Sequence, residues 1–556
     1  METPPWTALY PDGVPTTPEA GHPSLVAAWR ERVARDPDAT ALAYFDGRVS
    51  ARELDEASDA LAVALAGLGT ARGDRVGVYL QNVPQYAVLL LALWKLGATA
   101  LVLNPMYRRQ ELRRLVDDSG ATGLVCADVD VAETAETLAG SSVRWLVSTS
   151  ALDHQTRDDP RVFPSTERSH AAPDGDLVEL VARHRGQRPP DLDLTGDDVA
   201  LLTYTSGTTG PPKGAMNTHA NLLAVTGTYA AWVGLAPGDA VFAMAPLFHI
   251  TGAVVNATIA LLADATLVLA NRFHPEVALE AFAEHGVTFT IGSITAYNAL
   301  SQVPGVSREH FRSVKLLYSG GAPIPPSTVA RFRERFGLYI HNGYGMTETS
   351  SAVIAVPPGV DAPVHGPSGT LSIGVPLPGV GARVVDPEGN ALPPGEQGEL
   401  ELTGPAVVPG YWNNPEATAG TMPGGRLRTG DVAILDEQGW VYLVDRLKDQ
   451  INVSGYKVWP REVEDTLYEH PAVLEVAVVG EPDEYRGEVV VAYVSLGEGR
   501  SATEEELIAF ARERLAAYKA PRRVHLVPEL PKTQTGKIRR NVLRDQAAAR
   551  TRPAVS

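Results

Sequence analysis

Hydrophobic positions along the chain follow two rhythms that alternate. Short apolar, β-branched runs at 75–80, 99–104 and 123–127 have the length and composition of buried strands. Between them lie segments of helical length. Ser50 followed three residues later by Glu53 is a capping box, and it opens a helix that Gly67 ends. Residues 84–96 read as a buried helix stopped by Gly97, and 110–118 as a charged surface helix. Strands alternating with helices of this length imply right-handed crossovers and a parallel sheet. The stretch 146–190 is polar, proline-rich and without a period, and reads as a surface excursion.

The alternation resumes with a strand at 199–203. It continues through a helix at 219–233, a strand at 240–245, an apolar helix at 254–262, strands at 287–291 and 314–318, a helix at 327–336 and a strand at 338–341. After about residue 372, short β-rich runs are divided by Gly and Pro turns (DPEGN, LPPGEQG), which predicts a barrel or meander. From Trp459 the order is helix, strand, strand, helix, strand, with a second capping box at Thr503 and Glu506. The expected fold is therefore α/β. A large N-terminal domain of several subdomains (1–445), with doubly wound sheets plus a β-barrel-like part, precedes a small mobile α+β C-terminal domain (446–556).

Composition narrows the function. A chain of 556 residues is too long for one core. Its net charge of −18 disfavours nucleic acid or anionic membrane as a partner, while leaving room for a local basic site. The single cysteine, Cys126, rules out an intrachain disulfide and fits a reducing cytoplasm. The first ten residues lack a signal-peptide pattern, and the apolar run 86–103 is broken by Lys95 and Gly97, so no membrane span is predicted.

Five stretches carry candidate chemistry. YTSGTTGPPKG (204–214) gathers the hydroxyls of Thr205, Ser206, Thr208 and Thr209, the glycine Gly207 and the ammonium of Lys213 after a strand. Concave arrays of amides and hydroxyls bind anions, and open α/β sheets place ligands at the carboxyl ends of strands. It is not a Walker A loop, because Lys213 follows Pro212 and precedes Gly214. YSGGAP (318–323) offers Gly321, Ala322 and Pro323, where something flat could lie against backbone. NGYGMTETS (342–350) supplies Asn342, Gly343, Tyr344 as a stacking face, Gly345, the Thr347 hydroxyl and the Glu348 carboxylate. A carboxylate opposite a phosphate loop is a common way to hold Mg²⁺. RTGDVA places Asp431 after a tight turn, where it can accept from a ribose diol. The last stretch pairs VDRLKDQINVSGYKVWPREVE (444–464) with PKTQTGKIRR (531–540), whose Lys537 suits a polarised carboxylate or phosphate oxygen. Singly, each also fits an ordinary turn or a solvated basic tail.

Together, and in this order, the strings YTSGTTGPPKG, YGMTE, TGD, DRLKD and PKTQTGK resemble those of the adenylate-forming superfamily, which includes acyl-CoA synthetases, luciferases and the adenylation domains of peptide synthetases. The resemblance runs from about Tyr44 to Arg540. It implies ATP, Mg²⁺ and CoA as cofactor and co-substrates. Thr205 to Lys213 would wrap the outer phosphates, and Thr205 and Glu348 would lie near the metal. Gly321, Ala322, Asn342, Gly343, Tyr344 and Thr347 would surround the adenine and the α-phosphate. Asp431 with Arg446 would take the ribose, and Lys537 the acyl carboxylate. Lys448 would be the pivot of the small domain, which presents Ser454, Gly455 and Tyr456 to the thiol in a second state. His249 would stand where the acyl pocket meets the thiol tunnel, although a buried histidine is by itself more often structural.

For the acid, the resemblance places the pocket around 249–255, 293–298 and 319–321. Ile250, Ala253, Val254, Ile294 and Ala296 are apolar, which favours an uncharged chain, since an unpaired buried charge is costly. A medium- or long-chain fatty acid is the first expectation and an aryl or arylpropenoic acid the second. A carrier protein in place of CoA is a further alternative, as are a luciferase-like activity and a binding-only module. The protein is expected to be cytoplasmic and a monomer or homodimer.

Overall fold

The computed structural model describes residues 4–18, 21–169, 171–205, 211–322, 324–366, 369–454, 456–483, 486–533 and 537–551, with side chains to 547. Its first sheet has the order Trp145–Thr149, Gly123–Ala127, Arg75–Tyr79, Thr99–Val102, Val199–Tyr204, Gly214–Thr218. All neighbours are parallel except the last pair, an antiparallel hairpin in which Tyr204 faces Gly214. The hydroxyl- and glycine-rich stretch is thus the hairpin connection on the edge of a parallel sheet.

The second sheet has nine strands. From Ile340–Met346 it runs through Leu316–Gly320, Phe289–Gly292, Ala240–Phe242, Thr266–Leu269 and Thr40–Tyr44, all parallel. Antiparallel strands Ser351–Ala355 and Gly47–Ser50 flank this run. Helix Pro84–Lys95 is buried along its whole length, as a helix apolar on all sides but for Gln85 and Lys95 must be. Its one charge, Lys95, is neutralised inside by Asp55 and Asp59, each at 2.7 Å, with the Ser58 hydroxyl at 2.8 Å. The first capping box forms, with Glu53 N–H donating to Ser50 Oγ and Ser50 N–H to Glu53 Oε2.

The β-rich stretch is a four-stranded antiparallel meander, Gly381–Val385, Gln397–Thr403, Leu427–Leu435 and Val441–Arg446. The main apolar core extends through Val444. A separate core begins at Ile451, around a sheet of Tyr456–Val458, Ile451–Val453, Gly487–Leu496, Val473–Asp483 and Arg523–Leu526. Helices Pro460–Tyr468 and Glu504–Arg512 belong to this lobe, the second opened by the Thr503–Glu506 box. Among the described residues no helix is long and apolar enough to cross a membrane.

The fold departs from the sequence pattern in three places, each for a physical reason. The 146–190 stretch is not wholly irregular. It contains most of the edge strand Trp145–Thr149 and the helix Leu177–Arg183, which Asp176 caps by accepting from the N–H groups of Val178 and Glu179. Both are too short to show a period among polar neighbours. Helix Leu25–Arg35 and the hairpin strands Thr40–Tyr44 and Gly47–Ser50 lie ahead of the first strand that the pattern marks, and the hairpin completes the second sheet. Strand Ile340–Met346 also runs past His341 through the glycines of NGYGM. Glycine is required there, because a Cβ on Gly345 would come within 1.8 Å of the Ser351 carbonyl oxygen.

Lys95→Ala strands two carboxylates against the core and should lower the unfolding free energy by about 3–5 kcal/mol. The denaturant midpoint measures it.

Candidate active site

The hairpin connection is clasped at its base. Thr205 N–H donates to the Lys213 carbonyl (2.9 Å), and Lys213 N–H donates back to Thr205 Oγ1 (3.3 Å). Ser206, Gly207, Thr208 and Thr209 lie outside the described residues, as do Pro323 and Gly455. Behind the hairpin the chain at 410–412 adds as a short strand. Met216 N–H donates to Gly410, and Trp412 N–H to Gly214. Lys213 Nζ stands 5.0 Å from the centroid of the Tyr411 ring.

Glu348 faces this assembly. It is buried on a single 3₁₀ turn, Thr347–Thr349, and its Oε1 accepts the Tyr411 hydroxyl at 2.6 Å. The turn is held from below by Asn217, whose Nδ2 donates to the Thr347 carbonyl (3.1 Å) and to Ser350 Oγ (2.9 Å). Ser350 and Ser351 follow with φ of 52° and 105°, a strained pair of the kind that clusters at functional sites.

A second group of side chains joins three strands. Asn342 is buried on its strand, and its Nδ2 has no partner, so one oriented donor is left for a ligand. Next to it, Tyr344 donates its hydroxyl to Asp431 Oδ2 (2.7 Å). Asp431 and Arg446 are directly opposite on neighbouring meander strands, with Arg446 Nε 3.5 Å from Oδ1. Burial raises the Asp431 pKa, and Arg446 and the Tyr344 hydroxyl oppose that shift.

Lys537 comes from the small lobe and lies on Gly321. A Cβ there would sit 2.7 Å from Lys537 Cε and 3.3 Å from Nζ, and φ of +79° independently calls for glycine. The strap that carries it closes like the first hairpin. Thr533 N–H donates to the Lys537 carbonyl (2.7 Å), and Lys537 N–H to Thr533 Oγ1 (3.0 Å). Three residues on, Arg540 is gripped by Asp445 (3.0 Å), Asp449 (3.4 Å) and Glu464. Burial, then the Arg446 charge, push Lys537 down to about 8, with Asp431 opposing.

The positions expected to form an apolar wall for the acid, Ile250, Ala253, Val254, Ile294 and Ala296, are all withdrawn from solvent. Ala253 and Val254 lie on an unusual backbone, since Gly252–Thr258 is a π-helix, a form found mostly at functional sites. Gly252 is needed where that turn meets the preceding loop, because a Cβ would fall 2.0 Å from the Pro246 carbonyl oxygen. His249 starts this segment, and burial, then the Lys537 charge, push it down to about 3. Its Nδ1 accepts the Thr251 N–H (3.3 Å), so the neutral ring carries its proton on Nε2.

The structure thus gathers Thr205, Lys213, Thr347 and Glu348 around Tyr411 and Asn217, and Gly321, Tyr344, Asp431, Arg446 and His249 around Lys537, with Asn342, Gly343 and Gly345 on the strand that leads from the second group to the first and Ala322 beside Gly321. It does not bring in Tyr456, which is 60 % exposed and stacked on Tyr518, nor Ser454 beside it. Lys448 lies in the crossing between the lobes. Tyr411 and Asn217 belong to the site without a motif to mark them. A lone aromatic after a Pro-Gly turn gives no sign that it reaches Glu348.

These features define a two-lobed nucleotide-dependent enzyme whose lysine arrives from the smaller lobe. The chain belongs to the AMP-binding enzyme family: that family's model matches residues 29–412 and the model of its C-terminal domain matches 462–537. It is 36% identical over 98% of both chains to a long-chain-fatty-acid–CoA ligase of Escherichia coli O6:H1. It is 36% identical to a feruloyl-CoA synthase of Amycolatopsis sp, over 93% of this chain and 98% of the relative. ATP-bound MatB from Rhodopseudomonas palustris superposes with a TM-score of 0.83 at 30% identity, covering 94% of this chain and 98% of that one.

With Lys537 held near 8, the free enzyme should lose adenylate-forming kcat/KM as pH rises through about 8 and the ammonium is lost. A pH profile of acid-dependent pyrophosphate exchange checks this.

Proposed function

We propose that the protein is an ATP-dependent acid–CoA ligase. It activates a hydrophobic monocarboxylic acid, preferably a medium- or long-chain fatty acid, as the acyl-adenylate and passes the acyl group to the CoA thiol, releasing pyrophosphate and then AMP. The observation that carries this reading is Lys537 on Gly321, where its charge acts on Asp431 and on His249. An ammonium there can donate both to an acid carboxylate and to an oxygen of the phosphate that the acid attacks.

Each residue then has a role. The Asn342 amide donor takes the adenine edge, and Asp431, braced by Arg446 and Tyr344, accepts the ribose hydroxyls. The loop from Thr205 to Lys213 holds the outer phosphates with amides, hydroxyls and the Lys213 charge. Glu348, with Thr205, suits Mg²⁺, which when bound supplies charge neutralisation at the leaving pyrophosphate. The Glu348 carboxylate keeps acceptor capacity beyond Oε1 for such an ion. Lys537 orients the acid carboxylate and stabilises charge on the bridging oxygen as the new P–O bond forms and the pyrophosphate leaves. Positioning and electrostatics suffice, without a covalent enzyme intermediate.

For the second half-reaction the thiol must reach the carbonyl that Lys537 covers. The change of core between Val444 and Ile451 supports a rotation about Lys448 that withdraws the strap and presents Ser454, Gly455 and Tyr456 instead. Neutral His249 at the wall leaves no cation against the acyl chain. An aryl or arylpropenoic acid is the second reading, supported by the feruloyl-CoA synthase likeness.

Lys537→Ala should lower acid-dependent pyrophosphate exchange by at least about 100-fold, in the range of removing one electrostatic group. Thioester formation from supplied acyl-adenylate should be retained. Exchange at the wild-type rate would refute the assignment. A panel of fatty and aryl acids, read by pyrophosphate release and then CoA thioester, identifies the acid and acceptor.

A further inference from the structure

We propose that Tyr411 is a positioning residue that sets two groups at once for the metal-bearing end of the triphosphate, the Glu348 carboxylate through its hydroxyl and the Lys213 ammonium through its ring. The proposal rests on the reading that Glu348 holds Mg²⁺.

Tyr411 is 4% exposed and Glu348 6%, so neither relies on water for its partner. The contact is a short charge-assisted bond, hydroxyl to Oε1 at 2.6 Å, and the Thr421 side chain bonds the same phenol oxygen. The strand behind it grips residue 348 a second time, since Val408 N–H donates to the Glu348 carbonyl (2.9 Å). Tyr411 itself is locked. It pairs with Ala215 just after the hairpin lysine, and its own N–H donates to Thr418 Oγ1 (3.0 Å). A Cβ on Gly410 would come 2.7 Å from Thr418 Cγ2, so the turn before the tyrosine fits only glycine. From this fixed ring the Lys213 ammonium stands 5.0 Å away, within cation–π range.

The choice of a phenol is informative. An arginine or lysine at this place would orient the carboxylate and also cancel its charge. A neutral donor orients it and leaves the charge available to a cation. With one oxygen fixed by Tyr411, Glu348 offers its remaining lone pairs in a set direction. Hydrogen bonds of this kind to metal-binding carboxylates change metal affinity by about 10–100-fold when removed. A phenylalanine would fill the same space, so packing alone does not call for the hydroxyl.

The test uses the full chain with ATP and no acid, where nothing turns over, and follows Mn²⁺ binding by electron paramagnetic resonance. Tyr411→Phe should weaken Mn²⁺ binding to the enzyme–ATP complex by about tenfold. Affinity for metal-free ATP should not change, while the loss of a bond to a buried carboxylate should lower the melting temperature modestly. Tyr411→Leu should also weaken metal-free ATP binding, because Lys213 loses its ring. Adding Tyr411→Phe to Glu348→Gln should produce no further loss, as for two groups acting through one contact. Wild-type Mn²⁺ affinity in Tyr411→Phe, with Glu348→Gln impaired, would overturn the positioning role and leave the metal reading standing. Equal losses of metal-free and metal-bound ATP in Tyr411→Phe would overturn it too, by showing a structural role. Unchanged Mn²⁺ affinity in Glu348→Gln would remove the metal reading and this proposal with it.

Discussion

The ammonium of Lys537 is a charge held out of water at the seam of two separately cored lobes. Its position depends on a missing side chain. Only a glycine at 321 leaves room for the Lys537 stem, and only a strap tied at Thr533 and Arg540 delivers it there. Burial weakens its hold on the proton, so the site favours an anionic partner that restores the charge balance. The Asp431–Arg446 pair and His249 all stand within electrostatic reach of this point.

The molecule's overall charge does not predict its ligand. A net −18 would repel a polyphosphate at long range, and what attracts one here is local. Two lysines stand on short loops, and in each the loop is closed by a threonine that both donates to the lysine carbonyl and accepts its N–H. The repeated clasp fixes the backbone from which a flexible side chain reaches, which limits the entropy lost on binding.

Much of this site is legible in the amino-acid sequence. Motif strings locate the lysines, Glu348, Tyr344 and Asp431, because glycines and hydroxyls in such density have few other uses. Capping boxes mark two helix starts because their chemistry is local. What stays hidden in the sequence is non-local. The strand through NGYGM depends on Gly345 nesting against Ser351. The Tyr411–Glu348 contact joins residues 63 apart, and the contact that ties Lys95 to Asp55 spans 40. The π-turn at Gly252–Thr258 leaves a pattern indistinguishable from an α-helix in so short a run.

Arg540 shares itself among three carboxylates of different allegiance. Asp449 and Glu464 lie on the small-lobe side of the crossing, whereas Asp445 sits on the last meander strand, Val441–Arg446, and also accepts from the backbone N–H groups of Arg446 and Arg461. A turn of one lobe against the other would therefore detach the guanidinium from a single anchor and leave it two escorts. The arginine would then stay neutralised through such a turn, and the orientation seen here would be favoured by one contact instead of being locked by all three.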